Sequence, residues 1–263
     1  VPTPEEPLEE NILRIARPNT AIYRIFSWTR FQQILQNSEL VLVKPGVWED
    51  PFEAFLMHKI VHLPNNEAAV LDPIRERVYG QCWMTCAESD AMWRIYSYPS
   101  NPAPGYEVGV KVKTTVNKLF TAFFNADNVD PNLAALRYWI GKVRYLSFKA
   151  IKQLTNDDGE FWGYFADPTG EGLAEAHLLK RKEFSHEKEV RLLYCAPNGY
   201  AEPRYHFAVN PNDLINEVIL DPRMGDAEAQ ALKGQIEGLG YTGKIKKSDL
   251  YLPPRYHVGL NMD

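Results

Sequence analysis

Short apolar segments of two-residue period and of helical period follow one another along this chain without the regular spacing that repeated βαβ units need. That irregular interleaving argues for an α+β fold. Residues 106–112, apolar at 106, 108, 110 and 112, form the clearest alternating strand, and residues 114–124 the helix after it. Residues 21–26 are rich in strand formers. After the N-cap residue Ser27, Phe31, Ile34 and Leu35 recur at helical spacing until Asn37 and Ser38 stop the helix. Further strands are expected at 40–43, 81–86, 143–148, 189–195, 205–209, 215–220 and 244–245, and helices at 54–60, 73–78, 89–96, 174–182 and 227–239. The expected architecture is mixed or antiparallel central sheets flanked by helices. Residues 1–19, with Pro2, Pro4, Pro7 and Pro18, read as a weakly ordered lead-in to a single α+β domain over 20–260.

One strand-like run carries unusual charge. Residues 184–194 read Phe-Ser-His-Glu-Lys-Glu-Val-Arg-Leu-Leu-Tyr. Successive strand residues alternate faces, so Glu187, Glu189 and Arg191 fall on one face if Lys188, Val190 and Leu192 take the other. Two carboxylates and a guanidinium on one face suit a site, and they also suit a solvated ladder of charges.

Composition removes several classes. The 263 residues are 45% hydrophobic and include six tryptophans, enough for a sizeable core. A net charge of −5 and a pI near 5.8 leave no electrostatic footprint for bulk nucleic-acid binding, although a local basic groove remains compatible with them. Cys82, Cys86 and Cys195 are an odd, sparse set that fits a reducing compartment, and the cytoplasm is the expected location. No apolar run approaches the roughly 18 residues of a membrane span, so no membrane partner is expected. Residues 238–244, Gly-Leu-Gly-Tyr-Thr-Gly-Lys, imitate phosphate-binding loops, but a helix precedes them and a strand follows, the reverse of what those loops need. They read as a helix end and turn. Cys82 and Cys86 lack a second pair for zinc, and His186 has Val190 four residues on where a metalloprotease needs histidine, so no metal ligand is assigned.

The remaining polar landmarks form a pattern. Tyr23-Arg24 lies in the first long strand, Trp48-Glu49-Asp50-Pro51-Phe52-Glu53 makes a turn, Met92-Trp93 and Tyr96 share a helix, and Glu187, Glu189 and Arg191 come late. In order and spacing these resemble the bacterial family catalogued as domain of unknown function 2971, over nearly the whole ordered chain. Glu49 and Phe184 depart from that pattern, and Lys180 or Lys182 would be the lysine ahead of its last strand. More remotely, the Tyr-Arg strand and the late Glu-x-Glu strand look like ADP-ribosyltransferases of the toxin and DNA-modifying kind. That resemblance implies a split sheet and NAD as substrate, in transfer of ADP-ribose or hydrolysis of NAD by an effector of toxin or phage-defence type. The acceptor it implies is an unspecified protein or nucleic acid.

Carried over residue by residue, the resemblance implies that Arg24 anchors NAD, that Tyr23 or Trp48 stacks on it, and that Glu187 or Glu189 is catalytic, with Glu189 favoured. Asp50, Trp93 and Arg191 complete the expected cofactor-binding set. The residue types suit the chemistry: an oxocarbenium-like ribose needs a nearby carboxylate, and a guanidinium binds pyrophosphate oxygens in pairs. A strand matching the family's Ser-Thr-Ser is missing, with only Thr85 near its place. Structural readings stand beside each role: Arg24 as a surface cation, Trp48 and Trp93 as core, Asp50-Pro51 as a helix cap. Two other functions remain open, a non-enzymatic module binding nucleotide or peptide, and a metal-dependent nuclease built on Asp50, Glu53, Glu187 and Glu189. Residues 157–172, with Phe161, Trp162, Tyr164 and Phe165, are expected to form a lid.

Overall fold

A computed structural model of the chain describes residues 9–48, 50, 52–53, 55–58, 60–62, 68–99, 107–126, 130–197 and 200–254. Glu49, Pro51, Tyr106 and most of the proline-rich stretch before it lie outside the described residues. The fold is α+β, as the interleaving predicts. Its ten-stranded mixed sheet comprises β1 (Ile12–Leu13), β2 (Ala21–Ser27), β3 (Glu39–Val43), β4 (Val78–Met84), β5 (Gly109–Thr115), β6 (Tyr138–Lys142), β7 (Glu189–Cys195), β8 (Arg204–Ala208), β9 (Glu217–Leu220) and β10 (Lys244–Lys247). The order is β1-β6-β7-β4-β2-β5-β9-β10, with β3 also beside β4 and β8 beyond β3. Pairing is antiparallel except at the two ends, where β1 joins β6 and β9 joins β10 in parallel.

Helices α1 (Trp28–Asn37) and α3 (Val116–Phe124) cover one face. Each begins as its sequence requires: the Ser27 hydroxyl accepts from Arg30 N, the Thr115 hydroxyl from Lys118 N, and α1 ends on Ser38 with φ 55°. Phe31, Ile34 and Leu35 of α1, and Leu119, Phe120, Phe123 and Phe124 of α3, enter the main core. The Phe123 ring meets Tyr138 edge-on at 4.9 Å and Phe207 at 5.0 Å. Each fully buried side chain of this size contributes roughly 1.5–3 kcal/mol, so this layer anchors the sheet. On the other face lies α2 (Asp90–Tyr96), capped by the Ser89 hydroxyl. Helix α4 (Asp226–Gly238) ends at Leu239, and Gly240 takes φ +92° before β10, so the glycine-rich run is a turn.

Four expectations are corrected. Residues 174–182 are not one helix: a helix at Glu171–Ala176 gives way to a strand, Leu179–Arg181, paired in parallel with Arg144–Leu146. The charged run is strand only from Glu189 onward. Lys182–Glu187 is a 3-10 helix, closed by Lys188 in the left-handed conformation (φ 48°). Residues 157–172 are not a lid: Asp158–Gly163 is a helix, and Phe161 is buried with Phe55, Leu56, Met57, Ile151 and Leu154 in a second core. Part of the expected lead-in is tied down, because the Asn11 amide donates to the Ala135 and Tyr138 carbonyls and Ile12–Leu13 joins the sheet. No helix among the described residues is long and apolar enough to cross a membrane.

Candidate active site

The sheet splits along β4. Its far end pairs with β2 at Tyr23 and Met84, its near end with β3 at Val43 and Gly80, and between these the two partners diverge. Backbone groups in such a gap need other partners. Side chains supply them: an Arg24 N–H donates to the Cys82 carbonyl, and the Gln81 amide donates to Val41 O at 3.0 Å while accepting from Trp83 Nε1 at 2.8 Å. A cavity of about 520 Å³ opens over the gap.

Its walls come from distant segments. Trp48 lies across β4 so closely that a Cβ on Gly80 would stand 2.8 Å from the indole, which accounts for glycine at this strand position. The Arg191 guanidinium packs 4.7 Å from the centre of the same ring. Met92, Ile95 and Tyr96 of α2 form another wall, and Phe184 and Glu187 of the 3-10 helix a third. The turn at Asp50 is held by Arg181, whose Nη2 donates to Oδ1 at 2.7 Å, and Oδ1 also accepts from Phe52 N at 3.0 Å. The second core, which includes the helix 158–163, packs on Phe55, Leu56 and Met57 just beyond this turn. Of the residues expected to form a lid, Phe161 is thus buried in this second core.

Beneath the cavity lies a cluster of buried charges. Arg191, fully buried, donates from Nε to Glu189 at 2.8 Å, from Nη1 to the His177 carbonyl at 2.7 Å and from Nη2 to Glu53 at 2.8 Å. Lys180 Nζ reaches Glu187 at 2.6 Å and Glu53 at 3.3 Å, and also binds Glu189. Three carboxylates thus face two cations. The surplus is resolved unequally: burial, and the hydrogen bond that its protonated carboxyl donates to Glu189, push Glu187 up to about 8. Glu189 is held well below the usual carboxylate range, because Arg191, Glu187 and Lys180 together outweigh its burial. Burial also drives His177 down to about 4, so it is neutral near pH 7.

Arg24, Trp48, Asp50, Glu187 and Glu189 all line this one cavity. Arg191 lies under it. Tyr23 and Trp93 do not line it; they pack around Lys111 beneath α2, at 5.1 and 5.4 Å from its ammonium. Among the described residues Arg24 makes no ion pair, and its buried Nε has no partner there. Alternation along β2 places Arg24 in the row of Ile22 and Phe26, away from Glu189, whose register partners across the sheet are Met84 and then Tyr23. The split is what lets it share the cavity. Gln81 had no assigned role from the sequence, Phe184 entered only as a departure from the family pattern, and Lys180 only as one of two candidates, with Lys182, for the lysine ahead of the last strand. A metal centre on Glu53, Glu187 and Glu189 is disfavoured, because Lys180 and Arg191 already occupy the space among these carboxylates. Among the described residues no group of three or more His, Cys, Asp or Glu is placed to hold a metal.

No family model matches the chain, and no curated protein matches it. The resemblance to the family of unknown function therefore rests on its motifs alone. Three solved structures of DarT from Thermus sp. 2.9 are similar to it. The complex with carba-NAD+ is 13% identical, with 88% of this chain and 97% of that chain covered and a TM-score of 0.38. The complex with NAD+ is 14% identical, covers 88% and 96%, and has a TM-score of 0.39. The complex with ADP-ribosylated ssDNA is 14% identical, covers 90% and 97%, and has a TM-score of 0.37.

Proposed function

We propose that the cavity binds NAD as a substrate and that the chain breaks its nicotinamide–ribose bond, passing ADP-ribose to water or to a protein or nucleic-acid acceptor. The observation that carries this reading is the placement, around one aromatic-walled cavity, of a pair of unequal carboxylates and an arginine that has no ion pair among the described residues. The volume of about 520 Å³ lies within the range of small-molecule sites.

Each group has work suited to its state. Arg24, with donor capacity unused, holds pyrophosphate oxygens. Trp48, Tyr96 and Phe184 offer faces and edges for the flat rings. When the C1′–N bond breaks, its electron pair leaves with nicotinamide and the ribose becomes oxocarbenium-like; Glu189, kept ionised, stabilises that charge. The oxygen or nitrogen of the nucleophile then forms the new bond to C1′ and loses a proton. Glu187, raised to about 8, can receive it in its ionised form. Consumption of NAD fits the toxin or phage-defence setting that the resemblance implies.

The test is incubation with NAD and measurement of nicotinamide release, beside NAD binding by calorimetry. Release by the parent protein is expected. A parent that neither binds nor consumes NAD overturns the proposal in favour of a module that binds another nucleotide or a peptide.

A further inference from the structure

Lys180 has no part in the chemistry above, yet it touches every carboxylate of the cluster. It comes from the short strand Leu179–Arg181, and its ammonium lies 2.6 Å from Glu187 Oε2 and 3.3 Å from Glu53 Oε1, and also bonds Glu189 Oε1. The Phe184 ring covers it, 4.6 Å from ammonium to ring centre. An ammonium has three donors and no acceptor, so three carboxylates saturate it and leave nothing to offer a ligand. None of the hydrogen bonds or ion pairs of Arg191 goes to Glu187; they go to Glu189, Glu53 and the His177 carbonyl.

We infer that Lys180 is a positioning residue: it pins Glu187 beside Glu189 and makes the two carboxylates unequal, one the fixed charge and the other the proton carrier. Glu189 is held by two cations, Glu187 by one. Lys180 and Glu189 face Glu187 directly, and Tyr96 of α2 and Tyr145 sense its charge. Behind Glu189 stand Arg191 and Glu53, and its backbone N–H donates to the Tyr145 hydroxyl at 2.8 Å. Arg24 and Cys82 lie within its field. Without the ammonium the two carboxylates would meet as like charges, and both would hold protons more tightly. The catalytic consequence rests on the NAD reading; the titration does not.

The experiment is a carboxyl ¹³C NMR titration of the parent, Lys180→Met and Lys180→Arg, with Glu187→Gln to assign the near-neutral step. In Lys180→Met that step should move up by about one pH unit or more, and Lys180→Arg should bring it back to within about half a unit of the parent. In the parent, the ¹⁵N signal of the Lys180 ammonium should shift through the same midpoint as Glu187. An unmoved step in Lys180→Met overturns the inference; if that variant does not fold, an ammonium signal flat across the Glu187 step does so. Where NAD is consumed, the rising limb of the pH–rate profile of Lys180→Met should move to higher pH with KM changed only a few fold. A parent that releases no nicotinamide overturns the NAD reading and leaves the titration result standing.

Discussion

Two buried cations on the same face of the sheet sit in opposite surroundings. Lys111, beneath α2, is enclosed by the rings of Tyr23 and Trp93, bonds the Ala87 carbonyl and lies 3.5 Å from Glu88, whose side chain is partly exposed. Arg191 stands three ladders away, on β7 beneath the cavity, with Glu53 and Glu189 both buried against it and Lys180 beside them. The first group is closed by backbone and aromatic rings. The second keeps a surplus carboxylate facing open space. Cation, aromatic and carboxylate occur in both, so residue type does not separate a structural cage from a site; the surplus charge and the cavity do.

The difference can be broken first at the cations. Arg191→Met should cost about 3–5 kcal/mol in denaturant unfolding, because it strands buried carboxylates. Lys111→Met should cost about 1 kcal/mol, since Glu88 can turn to water and only a hydrogen bond to a carbonyl is lost. Equal costs would show that the two clusters are of one kind.

A smaller effect is expected at the seat of Trp48. Gly80→Ala places a methyl group 2.8 Å from the indole and 3.3 Å from Leu193. Overpacking of this kind costs about 1–3 kcal/mol and should shift the tryptophan fluorescence, while thermal and spectral identity with the parent would contradict the close approach.

The smallest effect is a slope. Burial and the neighbouring Glu189 raise Glu187 in the folded chain to about 8, above its unfolded value, so the folded state holds the extra proton. Its contribution is complete below the unfolded pKa and is lost as pH rises through about 8. His177, lowered to about 4, acts in the opposite sense as pH falls from its ordinary value toward 4. The difference between parent and Glu187→Gln isolates the glutamate: from pH 6.5 to 8 the parent should lose stability relative to the variant, at a slope of at most about 1.4 kcal/mol per pH unit. Parallel curves would place the proton elsewhere.

Local signals carried much of the fold. Ser27 caps the helix expected after it, Ser89 caps the helix expected at 89–96, and β7 spans the seven residues its composition predicts. Where the signal was not local, the reading failed. β6, Tyr138–Lys142, is buried at four of its five positions and so shows no alternation, and it was not expected as a strand. Phe161 and Phe165 are four apart, a helical spacing, but the surrounding glycines and aspartates read as loop. At the site, residue types were legible and geometry was not. Tyr23 and Arg24 are neighbours on one strand, and only the divergence of β2 from β3 decides which of them meets the cavity. The partners of Arg191 and Asp50 lie up to 138 and 131 positions away, which no periodicity records.

The central claim is that chemistry belongs to the cluster with surplus charge and not to the closed one. It is tested most directly by nicotinamide release from NAD by the parent, Glu189→Gln and Tyr23→Phe, measured side by side. Glu189→Gln should fall by about 10²–10³ in rate, with NAD affinity changed only a few fold, because it removes one oriented charge and keeps the shape. Tyr23→Phe, which keeps the ring against Lys111, should release nicotinamide at the parent rate. Release by Glu189→Gln at the parent rate, or an equal loss in Tyr23→Phe, would contradict the account.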